Sequence, residues 1–275
     1  MPIFDTPGPV SVNVELAVGD LLVAASDRVD TVVGVQPSDP TNPADVDAAE
    51  RTRVEYADGL LRIKGHKGRK LASLRGSSGS IDVCIDVPTG SPVHADAGVA
   101  TVRATGTLGA FRFKAGAGDV TIQEVAGPVE LTTGMATVRI ERIDGSTSIK
   151  NSNGDTWIGE ATGDVRVKAA NGKVTVDHAR AAVTAKTANG DIRLGEVGCG
   201  VVVAETACGK VEVAVRSGVA AWLDLHTGLG HVQNLLEVGA QPGPSEATVE
   251  VRARSGFGDI TIRRAPLAVN SQPAP

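Results

Sequence analysis

Apolar and polar residues alternate along most of this chain in short runs separated by glycine-containing turns, and the runs recur at a fixed interval. The first apolar position after each turn falls at Val102, Val120, Val138, Thr156, Val174 and Ile192, each 18 residues after the last if Thr156 is counted in the series. A second series, Phe111, Val129, Thr147, Val165 and Val183, has the same spacing and lies half a period away. Each unit therefore consists of two nine-residue halves, a short strand followed by a corner. After Ile192 the register slips to Val202 and Val211, then to Leu223 and Val232, before Val251 and Ile260 restore the nine-residue spacing. Within a unit the alternation is that of strands with one face turned inward, and no helical periodicity interrupts it.

A unit of this size cannot bury its apolar face alone, but stacked units can share one continuous core. The pattern predicts an all-β protein, a flat parallel β-solenoid with about 18 residues and two short strands per coil. Residues one period apart should then form columns. Two inward columns read Ile122, Ile140, Ile158, Val176, Leu194, Val213 and Phe113, Leu131, Ile149, Val167, Ala185, Ala204. A corner column is almost wholly glycine, from Gly118 through Gly154, Gly172 and Gly190 to Gly209, as expected where the chain needs positive φ or leaves no room for Cβ. Beside it Asn153, Asn171 and Asn189 predict a structural ladder of side-chain amides. Charges follow the same columns, with Asp119, Asp155 and Asp191 alternating with Thr137, Lys173 and Lys210 at one corner. Glu124, Arg142, Glu160, His178 and Glu196 line the other. Opposite charges on neighbouring strands fix register.

Three regions are expected: residues 1–90 as a β-rich N-terminal cap or irregular first coils, 91–263 as the repeats, and 264–275 as a disordered tail. Asn42 followed by Pro43 predicts a short helix over 43–50. The basic run from His66 to Arg75 reads as a solvated loop.

Composition narrows the function classes. With 27 Lys and Arg against 32 Asp and Glu, the formal charge is −5, which implies no grip on nucleic acid. No apolar run approaches the roughly 18 residues of a membrane span, and the first residues lack the basic and apolar regions of a secretory signal. A cytoplasmic protein with no membrane partner is expected. Cys84, Cys199 and Cys208 are odd in number and lack zinc-type spacing, which suits a reducing compartment.

Several segments together resemble a known family. Gly19-Asp20-Leu21-Leu22-Val23, Ala48-Ala49-Glu50-Arg51-Thr52-Arg53-Val54, Gly79-Ser80-Ile81-Asp82-Val83 leading to Pro88, and the serial Gly-Asp-Val-x-Val units are similar to the bacterial "putative adhesin" domain-of-unknown-function family of β-strand repeat proteins. The resemblance covers roughly residues 8–263 and implies a repeat architecture without assigned catalytic residues.

Candidate chemistry is sparse. Calcium β-rolls also use nine-residue half-coils, but the Asp119 column alternates with Thr137, Lys173 and Lys210, so stacked coils cannot supply the repeated oxygens the ion needs. His178 between Glu160 and Glu196 continues into Arg142, the pattern of a charge ladder. No metal and no cofactor are expected. No serine sits in a nucleophile elbow, and no enzyme is expected. On the outward side Trp157 lies between Arg139 and Arg193 in one column, residue types that recur at interaction hot spots, and Lys150, Lys168 and Lys186 form a basic column. The expected function is a repeat scaffold presenting rigid β faces to an unknown protein partner or to its own copies. The alternatives are a solenoid that binds or transforms an anionic or sugar-like ligand through these same residues, and a bactofilin-like polymer built by end-to-end stacking.

Overall fold

The structure is a computed structural model that describes residues 1–65, 79–236 and 248–266. The basic run at 66–75, the insertion at 241–245 and most of the expected tail lie outside the described residues.

The chain is almost entirely strand, coiled as expected into a parallel β-solenoid. It begins with β1 (Ile3–Asp5), β2 (Ser11–Ser26), β3 (Asp30–Pro37), α1 (Pro43–Arg51), β4 (Arg53–Ala57), β5 (Leu60–Lys64), β6 (Ser80–Pro88) and β7 (Val93–Leu108). Five regular two-strand coils follow: β8 (Phe111–Ala117) and β9 (Val120–Val125), β10 (Val129–Met135) and β11 (Val138–Ile143), β12 (Thr147–Asn153) and β13 (Thr156–Ala161), β14 (Val165–Asn171) and β15 (Val174–Ala179), β16 (Val183–Asn189) and β17 (Ile192–Val197). The chain closes with β18 (Gly200–Cys208), β19 (Val211–Val215), β20 (Ala220–Leu229), β21 (Val232–Asn234), β22 (Thr248–Phe257) and β23 (Ile260–Arg264).

In the regular coils every pairing is parallel and joins residues 18 apart, as in Leu131 with Ile149 and Ile140 with Ile158. Even-numbered strands from β8 to β16 form one flat face and odd-numbered strands from β9 to β17 the other. The two inward columns are buried along their whole length, and each such aliphatic side chain contributes roughly 1.5–3 kcal/mol. At the shared corner Gly172 has φ +136°, and a Cβ there would stand 2.2 Å from the carbonyl oxygen of Gly154 in the preceding coil. Both the conformation and the approach of the next coil therefore require glycine.

At both ends spatial order departs from chain order. The long strand β2 makes a full coil by itself and pairs on one side with β7 and on the other with β5 and β6. β5 and β6 are thus the outer coil, and the earlier residues 11–26 lie inside it. The C-terminal end mirrors this arrangement: β22 and β23 pair with β18 and β19 on one side and with β20 and β21 on the other. The chain passes to the outermost position at 220–234 and then returns to fill the gap it left.

At the N-terminal end further strands cover the edges of β5 and β6. β4 runs antiparallel to β5, β3 runs antiparallel to β6, and β1 extends β3. The expected helix forms as α1, with the Asn42 side chain accepting from the Ala44 amide at 3.1 Å, and it packs against β3 and β6.

Candidate functional site

Three sets of side chains were expected to carry function or register, and the structure places them on separate parts of the solenoid. The asparagines form one line of hydrogen bonds at the corner beside the glycine column. The Asn171 amide donates to the Asn153 carbonyl oxygen at 2.8 Å and the Asn189 amide to that of Asn171 at 2.9 Å. The line ends on the backbone, where Asn153 donates to the Gly134 carbonyl at 3.3 Å.

The neighbouring aspartates serve the same corner differently from a simple charge ladder. Asp119, Asp155 and Asp191 accept the backbone N–H of Thr137, Lys173 and Lys210 at 2.8, 2.8 and 2.7 Å. What each carboxylate meets in the next coil is an amide, so the residue type there can vary. Among the described residues no three His, Cys, Asp or Glu side chains gather as a metal ion would require.

Trp157 lies on the β13 face and is half-buried. The Arg139 guanidinium stacks 3.7 Å from its ring centroid, and its Nε1 donates to Asp177 at 3.0 Å. Gly159 leaves room for the indole, whose edge would stand 3.0 Å from a Cβ at that position. Arg193 is on the same column but on the far side of Thr175, which pairs with both Trp157 and Arg193. The structure therefore brings Arg139 and Trp157 together and leaves Arg193 apart. The indole is held flat by its own neighbours and does not project as an anchor.

The lysine column is on the opposite face, on β12, β14 and β16. Lys150 pairs in register with Lys168, and Lys168 with Lys186. Lys186 is neutralised by Glu205 at 2.6 Å, while Lys150 and Lys168 have no carboxylate partner among the described residues. Arg166 projects from the same face between Ser148 and Thr184. Because the lysines and Trp157 point away from each other across the core, one small ligand cannot touch both sets.

At the other corner the expected charge ladder runs along the coils. Glu160 receives Arg180 through two nitrogens, each at 2.7 Å, and Glu196 receives Arg216 at 3.0 Å. The insertion Gly198-Cys199 opens a cavity of about 320 Å³ here, lined by His178, Arg180, Glu196, Cys199 and Arg216. Its arginines already hold carboxylates, and the Cys199 thiol donates to the Arg180 carbonyl at 2.8 Å.

Two features escaped the sequence reading. Inside the glycine corner Asn151, Thr206, Ser255 and Thr227 are directed at backbone carbonyls, with Asn151 donating to Ala136 at 2.7 Å and Thr206 to Gly190 at 2.9 Å. The signal was a run of Thr, Asn and Ser at the period of the repeat. The second is a group of exposed apolar residues at the C-terminal end: Trp222 at 73%, Leu229 at 66% and Phe257 at 59% relative exposure. Phe257 and Leu229 continue the asparagine column beyond Cys208.

Comparisons with known proteins bear on this architecture. No curated protein matches the chain. A solved "putative adhesin" from Bacteroides fragilis is 13% identical over 96% of each chain, with a TM-score of 0.42. A "putative cell adhesion protein" from Clostridium sporogenes is 12% identical over 96% of this chain and 98% of that one, with a TM-score of 0.23. A "putative adhesin" from Parabacteroides distasonis is 14% identical over 95% of each chain, with a TM-score of 0.31. The family model described as Toastrack DUF4097 matches residues 10–263, and the chain belongs to that family.

Proposed function

We propose that this chain is a non-enzymatic repeat scaffold that offers its flat β faces to a protein partner, and that the face carrying Lys150 and Lys168 receives an acidic one. The observation that carries the reading is the lysine pair itself. Two like charges in register on neighbouring parallel strands repel, and here no carboxylate of the described residues relieves them, although Lys186 one coil away has Glu205. Arg166 adds a third cation to the same rigid surface. An acidic segment laid across the strands would relieve that repulsion at little ordering cost to the scaffold. Cys84, Cys199 and Cys208 are exposed and unpaired, which supports a working place in a reducing, cytoplasmic compartment.

The test is fluorescence anisotropy with a labelled glutamate-rich peptide, using a lysine-rich peptide as control. The wild type should bind only the acidic peptide, more weakly as salt rises. Lys150→Glu combined with Lys168→Glu should keep the melting temperature and lose affinity by about tenfold or more, about 1.4 kcal/mol. Equal binding by wild type and variant, or no binding by either, would remove this face as a docking site.

A further inference from the structure

We propose that the open C-terminal end of the solenoid is a homodimer interface, in which β20 pairs antiparallel with the β20 of a second copy across a two-fold axis at Leu225. The first observation is the contrast between the two ends. β4, β3, β1 and α1 cover the N-terminal edges, whereas β20 pairs with β22 alone and nothing among the described residues covers its other side. β20 is ten residues long and contains neither proline nor lysine, the devices that usually protect such an edge. Its inward Leu223 and Leu225 pack on the core but remain partly uncovered, and Trp222 is largely exposed.

The backbone groups available at this edge follow from the rest of the solenoid. On this face the first inward residue of a strand donates its N–H to the next coil, as Phe111 does to Pro128, Val129 to Ser146 and Val165 to Ala182. Leu223 holds that position, in register with Val251, Val202 and Val183. Its N–H, and by alternation those of Leu225 and Thr227, therefore face the open side.

A second copy is the occupant that the side chains select. A two-fold axis through any residue of β20 keeps the hydrogen-bonding parity, and the axes nearest the middle of the strand, at Asp224, Leu225 or His226, pair its central residues and leave the least edge unpaired on the side toward Leu229. An axis at Asp224 sets aspartate against aspartate, and one at His226 sets histidine against histidine. An axis at Leu225 sets each Asp224 opposite the other copy's His226, in the non-hydrogen-bonded pairs where side chains come closest. The same register places Trp222 over Gly228 and joins Leu225 to its own copy on the inward side, which extends the core across the interface. A head-to-tail polymer finds a poorer match, because the outermost N-terminal strands among the described residues, β1 and β4, are only three and five residues long. An isologous contact closes at two copies.

The experiment is sedimentation velocity on the full chain over a range of concentrations. A species of twice 28.1 kDa is expected for the wild type. His226→Asp places aspartate opposite aspartate and should raise the dimer dissociation constant at least tenfold with an unchanged circular dichroism spectrum. In the wild type Arg254 of β22 holds Asp224 at 3.2 Å and is in register with His226, so Asp224→His combined with His226→Asp restores the complementary pair, keeps an acid beside Arg254, and should return the constant to within about threefold of wild type. A wild type that stays monomeric, or that grows beyond two copies, overturns the proposal; so does a His226→Asp variant that dimerises like the wild type, or a double variant no better than the single one.

Discussion

The five coils between residues 111 and 197 and the coils at the two ends share the same columns, but they are held together differently. In the middle each coil touches the ones that precede and follow it in the chain, so neighbours in space are neighbours in sequence. At the ends a later or earlier segment is inserted between them: residues 248–264 between 200–215 and 220–234, and β2 between β7 and the pair β5 and β6. A purely sequential solenoid can fray from its termini coil by coil. Here β2 near one end of the chain and β22 and β23 near the other are interior coils, with a strand hydrogen-bonded on each side, and fraying them requires the outer coils to part as well. The ends exchange local order for interlocking.

The largest expected effect breaks this comparison directly. Stopping the chain after Leu236 removes the interior coil with its buried Val249, Val251, Ile260 and Ile262, a loss on the order of 6 kcal/mol or more. It also leaves β20 and β21 without the strand partners they have among the described residues. The shortened chain should melt no higher than one stopped after Val219, and amides of 220–234 should exchange without protection. Protection of those amides in the chain ending at Leu236 would mean that they dock on β18 and β19, and that the ends are sequential after all.

In the regular coils a single methyl group should be felt strongly. Gly172→Ala must accommodate φ +136° and a Cβ 2.2 Å from the Gly154 carbonyl oxygen, at a cost of about 3 kcal/mol. Urea unfolding measures it. A cost under about 1 kcal/mol, the ordinary range for a glycine-to-alanine change where the backbone fits, would show that the coils can separate locally, and the close stacking assigned to the centre would be wrong.

The opposite sign is expected one coil earlier. The hydroxyls of Thr147 and Thr156 are buried without a hydrogen-bond partner, at positions where adjoining coils carry Val129, Val165, Val138 and Val174. Thr147→Val and Thr156→Val should each stabilise by about 1 kcal/mol, since an unsatisfied buried hydroxyl costs about that much or more. Loss of stability in both would reveal a polar partner inside that coil.

These central features were legible in the sequence because they repeat. A steric demand such as that at Gly118, Gly154, Gly172 and Gly190 is imposed by one coil on the next, so glycine recurs at multiples of 18 residues, with Ala136 the exception in this run. The intercalated ends were not legible, because a column records which residue faces the core and not which coil lies beside it. Leu223 and Val251 fit the same column in either spatial order. The Trp157–Arg139 neighbourhood could be read from the period, but how the indole lies could not: its half-buried position depends on side-chain contacts with Gly159, Arg139 and Asp177, which a column does not record. The lysine column could be read from the period, and its place on the face opposite Trp157 follows from two strands per coil, whereas the pairing of Lys186 with Glu205 depends on the slipped register after Ile192.

The smallest effect concerns the N-terminal end. Cys84 lies on β6, in register with Leu22 on one side and Gly34 of the covering strand β3 on the other. Partial burial pushes its thiol up from the ordinary range near 9, and the carboxylates of Asp82 and Asp86 add to the shift. Both causes disfavour the thiolate, which is the form that reacts. At pH 8 iodoacetamide should therefore modify Cys84 in the folded chain more slowly than in the urea-unfolded chain, and the gap should narrow as pH climbs through the raised value. Because the native state holds this proton more tightly, stability from this group is complete below the ordinary thiol range and declines as pH rises above it. Removing residues 1–10 takes away β1 and the Met1 side chain, which reaches the Gly34 position. If burial under this cover sets the thiol, its alkylation at pH 8 should speed up in the trimmed chain. An unchanged rate would assign the shift to Asp82 and Asp86 alone, and Asp82→Asn would then be the change that releases it.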